Sequence, residues 1–133
     1  MADFTLLHLK GSRCSKRAVR IQELLPDEKD DLMLQAAKLV GPSATILELK
    51  RREWKMGAIA MIKQVSLEPV AGDPNAASVK WKSYDYATLE SDYDKLFTAK
   101  DHALLVAAYR SFHEVTEEEV DDIVGKALPV SAD

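Results

Sequence analysis

The residue types that could do chemistry in this chain are three histidines, one cysteine and a run of carboxylates. His102 and His113 share the stretch "TAKDHALLVAAYRSFHEV", whose apolar spacing is helical. Eleven helical residues separate two rings by about 16 Å, so the pair cannot hold one metal ion within that helix. No His-Glu-x-x-His pattern occurs. We therefore read His102 as a first-turn residue and His113 as a last-turn residue, where a partly charged imidazole suits the helix dipole. Cys14, in "KGSRCSKR", adjoins Arg13, Lys16 and Arg17, a setting expected to lower its thiol pKa. No histidine adjoins it to serve as a base. The acidic run "EEEVDD", Glu117 to Asp122, lacks the glycine and alternating oxygen ligands of a calcium loop. A helix start explains it, because carboxylates favour the positive end of the dipole. The five glycines are scattered singly, so no phosphate-binding loop is present. The expectation is a protein with no catalytic residue, no cofactor and no metal.

What must position these residues is one domain, 1–133. A chain of 133 residues, 47% hydrophobic, has the length and apolar content for a single core. No segment reaches the roughly 18 apolar residues of a membrane helix, and "GAIAMI" runs straight into Lys63. "MADFTLLHLKG" lacks a basic leader and a small-residue cleavage site, so it is not read as a signal peptide. A lone cysteine fits a reducing, cytoplasmic setting. The net charge of −4 hides a polarity. Residues 1–65 carry twelve Lys or Arg against eight Asp or Glu, and residues 66–133 carry six against fourteen. We read the halves as offsetting each other inside one folded unit, the other consequence being self-association or one partner at each end.

The pattern predicts a mainly α protein of about five helices with a short N-terminal β-hairpin. In residues 1–25, "FTLLHL" and "AVRIQEL" are β-prone, with Gly11 and Ser12 placed to turn between them. Residues 26–66 form a helical pair. The first helix opens at Pro26, with acidic residues in its first turn, and stops at Gly41 and Pro42. Leu32, Ala36, Leu39 and Val40 supply its inner stripe. The second is expected from a Ser43 cap to about Val65, with Leu47, Trp54, Ala58, Met61, Ile62 and Val65 on one face. Gly57 within it invites close packing. Residues 67–78 are a Pro- and Gly-bearing loop, the best candidate for a hinge. In 79–133 come a short strand around Trp81 and a helix with Leu89, Tyr93, Leu96 and Phe97 inward. A further helix, capped by Thr98 and Asp101, buries Leu105, Ala108, Tyr109 and Phe112. A last one follows from the Thr116/Glu119 capping box, with Val120, Ile123, Val124 and Ala127 inward.

Five basic residues and no acidic one lie between Lys10 and Arg20, yet no aromatic interleaves them, so nucleic acid is not expected as a partner. Protein is. Trp54, Trp81, Tyr109 and Phe112 are the large aromatics interfaces favour, although helical spacing places Tyr109 and Phe112 in the core. Trp54 beside Arg51 and Arg52 is the least core-like of them. The residues expected to meet a partner are Arg51, Arg52, Trp54, Glu117 and Glu118.

The order of "VRIQELLPDEKDDLMLQAAKLVG", "ELKRREWKMGAIAMIKQV", a Trp-bearing segment and "FTAKDHALLVAAYRSFHEVTEEEVDDI" resembles the tail assembly chaperones of long-tailed bacteriophages. An extended segment ending in Glu-Leu before an acidic helix, a late Lys-Asp-x-x-Leu helix with a tyrosine, and a Thr-Glu-Glu restart carry the likeness, over most of residues 17–128. It implies a non-catalytic protein of the host cytoplasm that binds the tape measure and tail tube proteins during virion morphogenesis. A structural component of the tail or head–tail connector, built into a ring, would look alike. The resemblance transfers no binding residues.

Overall fold

The computed structural model describes residues 4–115, 118, 119 and 121. Among these, the chain forms four helices and one four-stranded antiparallel sheet, a mixed α/β fold. The expected mainly α class is thereby corrected, and the predicted fifth helix falls almost wholly outside the described residues.

Strands β1 (Thr5–His8) and β2 (Ala18–Ile21) make the expected hairpin. Gly11 accepts a turn hydrogen bond from Cys14, but the left-handed positions are Arg13 (φ 66°) and Lys16 (φ 70°). Two non-glycine residues held there cost about 1–3 kcal/mol each. Lys16 Nζ partly offsets that by bonding the Lys10 and Gly11 carbonyls at 2.8 and 3.2 Å.

Helix α1 (Pro26–Val40) begins with proline and ends at Gly41, whose φ of 83° an L side chain would resist. Glu28 reaches back to the Leu25 N–H at 2.8 Å. Leu32 and Ala36 are buried as expected, whereas Leu39 in the last turn is 59% exposed. Helix α2 (Ile46–Met61) is capped by Thr45, not Ser43. It also stops earlier than its periodicity implies. Ile62–Ser66 is a strand, β3, entered directly from the helix. The physical reason lies in β2, three of whose four residues are buried. A two-stranded hairpin is marginal alone, and a strand buried on both edges needs a second partner. β3 supplies it, and β4 (Trp81–Ser83) pairs in turn with β3.

Helices α3 (Tyr86–Leu96) and α4 (Ala99–His113) follow, capped by Asp85 and by the Thr98/Asp101 capping box. The core runs between sheet and helices, through Val19, Ile21, Ile59, Met61, Leu89, Leu105 and Tyr109. The two chain halves interleave, since β4 pairs with β3 and α4 packs on α2. Yet both ion pairs among the described residues, Lys50–Glu53 and Arg110–Glu114, join residues of the same half. The loop after β3 is tied down: the Val70 N–H donates to Lys16, and His8 Nε2 lies 2.8 Å from the Val70 carbonyl.

Candidate functional site

Each of the three histidines has a structural partner, while the acidic run 117–122 lies partly outside the described residues. His113 donates from Nδ1 to the Tyr109 carbonyl (2.9 Å) and accepts the Leu24 N–H at Nε2 (2.7 Å). His113 stands in the last turn of α4, as expected. The ring joins α4 to the β2–α1 connection. His102 Nδ1 lies 2.7 Å from the Tyr93 hydroxyl, one step from α3. Burial and the nearby Lys55 charge lower its pKa, against Asp94.

Cys14 departs from expectation. Its thiol pKa is raised, by desolvation and then by the nearby Asp101 carboxylate. Two of its basic sequence neighbours are engaged elsewhere: Lys16 bonds the Lys10 and Gly11 carbonyls, and Arg17 the Ser66 and Leu67 carbonyls. Asp101 is wholly buried and accepts from the Ser15 and Thr98 N–H groups. It pins the hairpin turn to the start of α4.

The α2–α4 seam is the tightest place in the fold. A Cβ on Gly57 would overlap the Tyr109 ring, so the glycine expected to permit close packing is what lets that ring sit against α2. Tyr109 donates at 2.7 Å to Glu53, which is 1% exposed. Burial and that carboxylate push the phenol's pKa well up.

Of the five expected partner residues, Arg51 and Arg52 are exposed on α2 and Glu118 is exposed, while Glu117 lies outside the described residues. Trp54 is half-buried in a clamp. Its indole N–H donates to Glu114 at 3.0 Å, and the Arg110 guanidinium, bonded to the same carboxylate, lies 4.5 Å from the ring centroid. Burial would raise Glu114, but the bonds from Arg110 and Trp54 outweigh it and hold its pKa down. The structure thus gathers Arg51, Arg52 and Trp54 along one helix and gives Trp54 an internal duty. Apolar side chains stand uncovered instead on either side of the α1–α2 turn: Leu39, Ile46 (79% exposed) and Leu47 (52% exposed). Leu47 and Phe112, expected inside, are therefore surface residues.

A groove of about 350 Å³ lies between α1, the α2–β3 junction and the start of α3. Leu24, Leu32, Ile59, Ile62 and Tyr84 form its apolar floor. Glu28, Asp31 and Asp85 rim it, facing a single cation, Lys63. A register shift places Lys63 there. Arg20 pairs with Gln64 and Ile21 with Ile62, leaving Lys63 as the extra residue of a bulge. Its carbonyl accepts the Tyr84 N–H (3.0 Å), which fixes the groove's third wall.

Tyr86, also lining the groove, has a buried hydroxyl whose nearest acceptor, the Glu90 carboxylate, lies outside good hydrogen-bond geometry. Burial and the nearby Glu90 charge push its pKa up to about 12. Leaving such a group unsatisfied costs about 1–3 kcal/mol. Sequence reasoning missed this groove, because the bulge that builds it falls where the pattern reads as helix.

Among the described residues, no three His, Cys, Asp or Glu side chains gather as metal ligands, and no helix is long and apolar enough to cross a membrane. The chain matches no known protein family, no curated protein and no solved structure.

Proposed function

We propose that this chain is a non-catalytic binding protein that holds another polypeptide, in the manner of the phage tail assembly chaperones its element order resembles. The observation that carries the reading is a division of labour among side chains. Both histidines of α4 and the two buried acids Glu53 and Asp101 all bond elements of the fold to one another. Apolar surface, by contrast, is left open at Leu39, Ile46 and Leu47 and in the floor of the groove. Uncovered apolar area beside charge is the ordinary composition of a protein-binding surface.

In this reading the clients are a tape measure protein and a tail tube protein. Both are kept from aggregating until the tube subunits polymerise. Co-expression tests it directly: the tape measure product from the same genome should stay soluble with this chain and precipitate without it. The pair should also co-purify. A tape measure protein whose solubility ignores this chain would sink the reading. A closed ring in sedimentation, with the chain retained in finished particles, would favour a structural subunit of the tail or connector instead.

A further inference from the structure

We propose that the groove walled by α1 and the β4–α3 junction receives a basic, apolar segment of the partner polypeptide. The inference deepens the binding role above and rests on it only for the partner's identity. Two observations point to this occupant. The floor is apolar, with Leu32 and Ile59 buried beneath it, so it takes an aliphatic or aromatic side chain.

Charge is the second. Three carboxylates face one ammonium across the groove, and Lys63 Nζ is already donating to the Ala60 carbonyl at 3.1 Å. Among the described residues none of Glu28, Asp31 or Asp85 has an ion-pair partner. Glu28 and Asp85 each spend one oxygen capping a helix, and Asp31 is exposed. Lys or Arg beside the anchoring side chain complements that rim, and an acidic segment is repelled by it.

The test uses the whole chain and a short labelled helical peptide of Leu, Ala and Arg, read by fluorescence anisotropy. Its twins carry Glu for Arg, or Ser for Leu. The Arg peptide should bind, more weakly in about 0.5 M salt, where screening shortens to a few ångströms. Both twins should fail. Asp31→Lys should weaken binding about tenfold, the scale expected when a rim charge turns repulsive. Glu68→Lys makes the same charge change on an exposed loop residue outside the groove, and should leave affinity within about twofold. Should Asp31→Lys melt early, Asp31→Asn serves, with a smaller loss in the same direction.

Four results overturn the proposal: no binding of the Arg peptide, equal binding of either twin, indifference to Asp31, or a Glu68→Lys loss as large as that of Asp31→Lys. No tail protein enters this experiment. Peptide binding without tape-measure protection would therefore remove the chaperone role and leave the groove standing, and the reverse outcome would remove the groove alone.

Discussion

Two tyrosines separate the α2–α4 seam from the groove. Tyr109 sits in the seam with no exposure, its ring against Gly57 and its hydroxyl on a buried carboxylate. Tyr86 lines the groove with its hydroxyl equally dry and only loosely placed against Glu90. Buried polar groups in proteins are normally well paired, and the Tyr109 hydroxyl follows that rule. The seam is closed on its own terms. The groove leaves three acids without an ion-pair partner among the described residues and part of its apolar floor open.

The largest expected effect breaks the seam. Gly57→Leu forces a side chain into the space of the Tyr109 ring, and neither helix can yield without disturbing the core. Overpacking of this kind should cost about 3 kcal/mol, even after the helix-propensity gain of up to about 1 kcal/mol over glycine. A lowered midpoint in chemical denaturation checks it. The same substitution should leave an isolated α2 peptide more helical, which separates the packing cost from the backbone effect.

Next comes the same deletion made twice. Tyr109→Phe leaves the buried Glu53 carboxylate with only the 3.5 Å contact from Lys50, and hydrogen bonds to charged groups are worth about 1.5–3 kcal/mol, so a loss of about 2 kcal/mol is expected. Tyr86→Phe removes an oxygen with at most a weak bond to Glu90, and stability should hold or rise by up to about 1 kcal/mol. Equal losses at the two sites would show that the Tyr86–Glu90 bond is a full one.

Thr98→Ala gives a smaller number at the far end of α4. The Thr98 hydroxyl accepts the Asp101 N–H at 3.1 Å, and losing such a cap costs about 1 kcal/mol. The buried Asp101 carboxylate keeps its bond from Ser15, so the hairpin turn should stay docked.

How far the sequence announces each region follows from the range of the interactions that build it. The Thr98/Asp101 capping box, the Pro26 start and the Gly41 stop use neighbours within four residues, and the chain spells them out. The hairpin reads equally well. Gly57 is conspicuous in a helix, though its contact, Tyr109, lies 52 positions away and can only be guessed. At Ile62–Ser66 the reading goes astray. Ile62 and Val65 are three apart and apolar, so they fit a helical stripe as well as a strand. What decides for the strand is β2's need for a second neighbour, a tertiary demand with no local mark. Because the groove depends on the bulge in that strand, it was invisible for the same reason. Leu39 and Leu47, expected inside and found exposed, erred the opposite way: periodicity says which face a residue is on, and not how far along the helix its neighbours extend.

The smallest effect concerns His102, which belongs to neither region and so calibrates both. Its folded pKa is lowered by burial and by Lys55, with Asp94 opposing, relative to an unfolded value near 6.5. The folded chain therefore holds a proton at this ring less readily than the unfolded chain does. The stabilising contribution is complete above about pH 6.5 and is lost as pH falls through that value toward the lowered folded pKa. Thermal melts of the native chain should drop modestly between about pH 7.5 and 5.5, and part of that slope should vanish in His102→Gln. A variant slope as steep as the native one would assign the pH response to other groups. If Asp31→Lys and Tyr86→Phe leave the slope untouched while Tyr109→Phe does not, coupling runs through the seam and stops short of the groove, as expected of a surface built to be covered by something else.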